Sequence, residues 1–305
     1  MNSITLIENF RAAFYAPFYA AAALGAYDAE GLKVSIVKSS ETAQTIPSLI
    51  AGDGQVSWGG PMRLMGALEK NPDCGLVAFC EVVGRDPFFI LGRRPNDSFV
   101  LSDLKDVSFA PVSEVPTPWM CLQQDLRLAG IDTRGLRLRE GRSMAENAEA
   151  LCAGEVDAIQ IFHPTAMSLV EEGAGHVWYA AATRGPTSYT TLNTSKRFIA
   201  GNSDSVIGMC RAMHWTQQWI ARHTGKELAT AVASYFPETP TSLLAACYED
   251  YKRLRLWNDR PIVSRQGFEW LREAGLADGR LERRFSYEEC VASDIAERVI
   301  AGSSR

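Results

Sequence analysis

The chain has 305 residues and a formal net charge of −5, with 46% apolar and 22% charged residues, the balance of a folded globular protein rather than a disordered or fibrous one. That length exceeds the usual single domain, so two lobes are expected, burying about 75% of the unfolded surface without staples. The acidic balance offers no basic stripe for nucleic acid, and no run reaches the ~18 apolar residues of a membrane span.

In chain order, residues 4–7 read as a strand, followed by an aromatic loop and helix, Asn9-Phe10-Arg11-Ala12-Ala13-Phe14-Tyr15-Ala16-Pro17-Phe18-Tyr19. Residues 34–37 are a β-branched strand, and Ser39-Ser40-Glu41-Thr42 is a polar loop and helix start. Its hydroxyls could cap a helix or face a ligand. A helix over 46–49 stops at Gly52-Asp53-Gly54, and a strand over 55–58 ends at Gly59-Gly60-Pro61. Residues 62–68 have helical spacing, 76–83 form the next strand, and 87–92 read as a strand crossing to a second lobe. That lobe holds a short capped helix at 102–106, a strand at 107–110, a proline-rich loop, and a helix at 120–129 before Gly130. A strand at 136–138, a helix at 147–152 stopped by Gly154, and a strand at 156–161 ending at Phe162-His163-Pro164 follow. Residues 177–181 and 189–193 read as the return crossing. The remainder is helical over 204–223, 228–235, 241–254, 264–274 and 287–301, with Thr241-Ser242 and Ser264 as expected N-caps.

Strands alternating with helices predict parallel α/β sheets. The two crossings give a discontinuous first lobe, residues 1–91 with 189–305, around a second lobe of residues 92–188. A hinge of this kind places a ligand between the lobes. Seven cysteines stand singly and no Cys-x-x-Cys occurs, so neither a disulfide framework nor a zinc knuckle is expected. The scattered thiols favour a reducing compartment. Met1-Asn2-Ser3 carries no positive charge and strand-like sequence begins at Ile4. No secretory signal is read there, so the expectation is a cytoplasmic protein or one whose signal was cut away. No Gly-x-Ser-x-Gly, P-loop, His-Glu-x-x-His or dinucleotide fingerprint is present. No catalytic residue, metal ligand or cofactor is therefore expected.

Four segments carry a family resemblance. They are Gly25-Ala26-Tyr27-Asp28-Ala29-Glu30-Gly31-Leu32-Lys33-Val34; Leu101-Ser102-Asp103-Leu104-Lys105-Asp106-Val107; Ala150-Leu151-Cys152-Ala153-Gly154-Glu155-Val156-Asp157-Ala158; and Thr194-Ser195-Lys196-Arg197-Phe198-Ile199 before a long helix. In that order and spacing the chain resembles the solute-binding proteins of the nitrate, sulfonate and thiamine-precursor type. The resemblance implies a two-lobed α/β fold of the type II periplasmic binding proteins. It also implies a periplasmic location and an ABC permease and ATPase as partners.

The resemblance further implies a site built from loops at the carboxyl ends of strands, in line with the rule for open α/β sheets. On this chain those loops carry Arg11, Phe14 and Tyr15; Ser39, Ser40 and Thr42; Trp58, Gly59 and Gly60; Ser113, Glu114, Thr117 and Trp119; and Gln160, Phe162 and His163. Phe14, Tyr15, Phe18 and Tyr19 are dense enough to form an aromatic wall for a planar ligand or a piece of core. Trp58 precedes two glycines, where backbone can approach a ligand closely. The loop before residue 120 could offer helix amides to an anion, but Pro111, Pro116 and Pro118 remove donors, and Glu114 would repel an anion. Arg11 and Arg63 lie on expected cleft edges, and Arg suits a carboxylate, sulfonate or phosphate. His163 reads first as a hydrogen-bonded structural group.

The preferred reading is a solute-binding protein for a small planar organic molecule, aromatic or heteroaromatic and acidic. The alternatives are a cytoplasmic enzyme on the same fold, either pyrimidine-synthase-like or decarboxylase-like, and a stand-alone ligand sensor. The pyrimidine synthases of this branch need a Schiff-base lysine, a nearby histidine and a cysteine-rich run. Residues 53–68 contain no lysine or histidine, and the nearest lysine is Lys70.

Overall fold

Among the described residues, ten strands build two sheets: β1 (Asn2–Glu8), β2 (Leu32–Lys38), β3 (Val56–Gly59), β4 (Leu76–Val83), β5 (Phe89–Gly92), β6 (Ser108–Ala110), β7 (Arg137–Leu138), β8 (Ala158–Ile161), β9 (His176–Ala180) and β10 (Thr190–Ser195). The structure is a computed structural model that describes residues 2–303. The chain divides into two compact units, residues 1–85 with 185–305 and residues 86–184.

The first unit holds the sheet β2-β1-β3-β10-β4. β1 runs parallel to β2, with Leu6 opposite Ile36, and parallel to β3, with Leu6 opposite Val56. β10 runs antiparallel to both β3 and β4. The second unit holds the sheet β7-β6-β8-β5-β9, in which β5 is antiparallel to β8 and β9. Both sheets are therefore mixed rather than all-parallel. Hydrophobic periodicity marks a strand but carries no direction, and the two strands that break the pattern, β5 and β10, lie next to the unit boundaries. Residues 177–181 do not cross between units: most of them belong to β9, at the edge of the second sheet.

Several elements differ from their sequence reading for local reasons. The helix expected at 120–129 runs over Pro116–Leu128. Proline is tolerated in a first turn, where its missing N–H would be unpaired anyway. A helix at Thr165–Glu171 had no strong apolar period and was not expected. The C-terminal helix is two, Tyr287–Cys290 and Ser293–Ser303, because Val291 leaves the helix to bridge Ala78 of β4. Ser264 caps its helix by accepting from the Gly267 amide at 3.0 Å, whereas Thr241 lies inside a helix whose N-cap is Pro240. Gly52 and Gly154 stop their helices in the left-handed conformation, as glycine does best.

β4 is buried along its whole length, and Glu81 is the one carboxylate in it. Burial pushes Glu81 up to about 7, against hydrogen bonds from Asn258 and the Ser264 amide and the nearby Ser188 hydroxyl, which favour ionisation. A carboxyl raised in the folded state stabilises below its ordinary range, and that contribution is lost as pH rises through the folded value. Stability should therefore fall by roughly 3 kcal/mol between pH 5 and pH 8. Urea unfolding across that window checks it, with Glu81→Gln expected to flatten the profile.

The second unit packs Ile90, Leu104, Phe109, Leu122 and Leu126 into its core. Trp178 closes that core by lying on Gly92: a Cβ there would stand 1.7 Å from the indole. Trp178 is held in place by its Nε1 donating to the Arg94 carbonyl at 2.7 Å and by stacking on Phe99 at 5.2 Å. Gly92→Ala must displace the ring and should cost about 1–3 kcal/mol, read as a lower urea midpoint with an unchanged slope. The same unit buries a charge cluster. Arg184 is paired to Asp86 at 2.8 Å and to Asp125, with side-chain exposures of 4%, 0% and 9%.

Candidate functional site

In the first unit, β1, β2 and β3 end side by side, and their loops collect most of the expected site. β1 ends at Glu8, which is fully buried. Its carboxylate accepts two hydrogen bonds from Arg11, both 2.9 Å, and one from Tyr19 Oη at 2.9 Å. Arg11 also donates to the Tyr235 carbonyl at 2.8 Å and lies over the Tyr19 and Tyr235 rings. The bond to Glu8 holds the Arg11 guanidinium above its ordinary range, against partial burial. The positive charge of Arg11 is thus already matched.

The chain then passes through Asn9 and Phe10 into a single turn, Ala13–Tyr15, and the helix Ala16–Ala23. Phe14, Tyr15, Phe18, Tyr19 and Trp58 are all buried. Trp58 stacks on Phe18 at 4.7 Å and an interplanar angle of 3°, and meets Tyr15 and Tyr19 edge-on. Phe14 lies 4.3 Å from Tyr15. The four rings expected as a wall are buried against one another and Trp58, and the half-buried ring beside them is Phe10, edge-on to Tyr15 at 5.3 Å. Burial raises the Tyr15 hydroxyl, so it stays a neutral phenol.

Polar loops surround this cluster. Asn9 Nδ2 donates to Tyr15 Oη at 3.4 Å, and Asn9 Oδ1 accepts from Thr45 Oγ1 at 3.2 Å. Ser39 is buried and donates to the Glu41 carbonyl at 2.7 Å; Ser40 is exposed and Thr42 half-buried. The Gly59 carbonyl accepts from Thr191 Oγ1 at 3.3 Å and Asn193 Nδ2 at 3.2 Å. A Cβ at Gly60 would stand 3.0 Å from the Tyr189 carbonyl, so this turn is packed against β10.

Arg63 stands in the first turn of the helix Pro61–Lys70, which begins where β3 ends. It is half-buried and donates to the Thr42 carbonyl. Burial lowers its pKa, and the nearby Tyr15 and Tyr189 hydroxyls partly offset that. No described carboxylate pairs with it. A desolvated guanidinium with only neutral oxygens around it is an incomplete arrangement that an oxyanion would complete.

The remaining expected residues lie in the second unit. Gln160 is buried and clamps the 111–118 loop: its Nε2 donates to the Pro118 carbonyl at 2.9 Å and its Oε1 accepts from the Val112 amide at 3.3 Å. Ser113 and Glu114 are exposed. Ser113 Oγ accepts from the Gly141 amide at 3.3 Å, and the Glu114 carboxylate from the Met144 amide at 2.7 Å, at the start of the helix Met144–Ala153. Thr117 is half-buried in the turn that Pro116 and Pro118 deprive of donors. Trp119 is half-buried against Phe109 at 5.8 Å. Phe162 is half-buried and edge-on to Phe88 at 5.1 Å. His163 is buried, tilted over Phe89 at 4.5 Å, and joined to Pro164 by a cis peptide.

Sequence reasoning left Phe10, Asn9 and Tyr189 out of the site and named Arg63 only as an edge residue. The signal for Arg63 was present, because a Gly-Gly-Pro strand end aims the first turn that follows it. Tyr189 is brought in by β10, more than a hundred residues away in sequence, and had no local signal. Among the described residues, no group of three His, Cys, Asp or Glu side chains is placed to hold a metal. No helix of the described residues is long and apolar enough to cross a membrane.

Two α/β units that the chain joins twice, each with a mixed five-stranded sheet, define a periplasmic-binding-protein fold, and solved structures of that fold resemble the chain over almost its full length. The periplasmic aliphatic sulphonate binding protein SsuA from Escherichia coli is 15% identical with a TM-score of 0.76, covering 97% of this chain and 99% of that one. The periplasmic nitrate-binding protein NrtA from Synechocystis PCC 6803 is 12% identical with a TM-score of 0.69, covering 99% and 89%. In sequence, YtlA of Bacillus subtilis (strain 168), whose name calls it a binding protein without giving a ligand, is 23% identical over 301 residues, covering 98% of this chain and 90% of that protein. The chain matches the family described as NMT1/THI5 like over residues 13–226 and belongs to that family.

Proposed function

We propose that this protein is the solute-binding component of an ABC-type uptake system, and that its solute is a small planar organic anion, aromatic or heteroaromatic. The observation that carries the reading is Arg63, a half-buried guanidinium at the strand ends with no carboxylate partner among the described residues. An incoming carboxylate or sulfonate would take the bidentate place that Glu8 takes on Arg11. The half-buried Phe10 ring, braced edge-on by Tyr15, supplies an aromatic surface for a planar body. Family membership supports the binding role. The names of SsuA and NrtA, a sulphonate-binding and a nitrate-binding protein, support an oxyanion as solute. An extracytoplasmic location, with a permease and an ATPase as partners, belongs to the same proposal.

A thermal-shift screen tests it. The panel holds aromatic carboxylates, aryl and alkyl sulfonates, thiamine pyrimidines, riboflavin, nitrate and pyridoxal phosphate. A ligand at 100 times its dissociation constant adds about 2.7 kcal/mol, which at this size raises the melting temperature by several degrees. The expected result is a shift with an aromatic acid. A shift with pyridoxal phosphate alone, or with neutral solutes alone, would overturn the reading.

A further inference from the structure

Among the described residues, β4 has no strand partner besides β10. An irregular segment covers that free edge, as exposed edges require. The Glu81 amide donates to the Pro261 carbonyl at 2.8 Å, the Gly84 amide to the Leu256 carbonyl at 3.0 Å, and Val83 bridges Trp257. The Glu81 side chain points into this seam, where its carboxylate accepts from Asn258 Nδ2 and from the Ser264 amide at 3.3 Å. Asn258 packs directly on Gly84, where a Cβ would stand 2.1 Å from its Oδ1.

Backbone strain gathers at the same place. Ser188 and Arg255, with φ of 48° and 53°, are the only non-glycine residues with positive φ among those described. Ser188 is buried beside Glu81. Arg255 lines the groove of about 430 Å³ that also includes Glu81, Arg85, Trp257, Asn258 and Asp259. Strained residues of this sort persist where surrounding contacts over-determine them, often beside functional elements. The charged or titratable groups around Glu81 are Arg85, Arg255 and Asp259, which line the same groove, Cys80 beside it in β4, and Tyr287, with Arg265 over the Tyr287 ring at 4.2 Å.

Trp257 connects this seam to the candidate site. Its Nε1 donates to the Phe14 carbonyl at 2.8 Å, in the turn that carries Phe14 and Tyr15. We propose that Glu81 is a proton-sensitive positioning residue for the solute site, acting through Asn258 and Trp257 on the Phe14–Tyr15 turn. The inference rests on reading that turn as part of the solute site. An ionised Glu81 accepts from Asn258 and Ser264 together. A protonated one gives up an acceptor position, which loosens Asn258 and with it the next residue, Trp257.

Amide and indole NMR of the uniformly ¹⁵N-labelled protein tests this without any ligand. Between pH 5.5 and 8.5 the Trp257 indole and the Phe14 and Tyr15 amides should shift together with one midpoint near 7. In Glu81→Gln those shifts should vanish. In Trp257→Phe the Asn258 side-chain amide should still follow pH, and the Phe14 and Tyr15 amides should not. Constant Trp257 and Phe14 resonances in the wild type, or the same midpoint in Glu81→Gln, would overturn the proposal. Because no solute enters the experiment, its failure leaves the binding reading intact, and an empty solute screen leaves this test unaffected.

Discussion

Arg184→Met should destabilise the 86–184 unit by about 3–5 kcal/mol, the cost of breaking a buried ion pair from one side. Arg184 donates through Nη1 to Asp86 at 2.8 Å and through Nε to Asp125 at 2.8 and 3.0 Å. Tyr179 Oη adds a hydrogen bond to Asp125 at 3.2 Å. Methionine fills much of the same space but leaves two carboxylates in a dry site. Burial already raises Asp86, and Arg184 opposes that rise, with a smaller contribution from the Phe88 amide. Without the guanidinium the folded-state value climbs further. A carboxyl raised in the folded state stabilises only below its ordinary range, so the variant's deficit should shrink as pH falls toward 4 and be largest at pH 7. Urea unfolding at both pH values measures it. The companion Asp86→Asn, Arg184→Met, Asp125→Asn should recover much of the loss, because replacing a whole buried charge cluster is far less costly than removing one member.

The second large effect falls on binding. Arg63→Ala should weaken an anionic solute about 10- to 100-fold, since a hydrogen bond to a charged group contributes about 1.5–3 kcal/mol. Global stability should hardly change, because its described polar partners are the neutral Thr42 carbonyl and two phenols. Arg63→Lys keeps the charge but loses the planar fork and should fall between the two. Arg11→Ala provides the contrast. It strips the bidentate partner from the buried Glu8, so it should lower the melting temperature. Isothermal titration with the best aromatic acid, alongside melting curves, separates the two arginines.

That contrast shows where sequence stopped being legible. Arg11 and Arg63 read alike, as cations near a strand end. Only the folded chain reveals that Glu8, three residues before Arg11, has already neutralised one of them. Strands were readable where burial forces a continuous apolar run: residues 76–83 match β4 end to end, although the run did not single out Glu81, the one carboxylate in it. Helix stops at Gly52 and Gly154 were equally legible, because only glycine enters the left-handed region freely. Direction and distance were not. Nothing local says that β10 runs antiparallel into the first sheet and carries Tyr189 to its rim. Nothing local links Trp257 to a carbonyl 243 residues earlier. The aromatic run 14–19 left two readings open, a wall for a planar ligand or a piece of core; the rings pack into one another and Trp58, leaving Phe10 as the half-buried face.

The most direct test of the binding reading is equilibrium dialysis of the purified protein against an aromatic acid selected by thermal shift, with the retained solute recovered and identified by mass spectrometry. The account predicts one solute retained per chain, released unchanged on denaturation, and retention weakened by the same factor in Arg63→Ala. Recovery of a chemically altered solute, or retention that ignores Arg63, would contradict it.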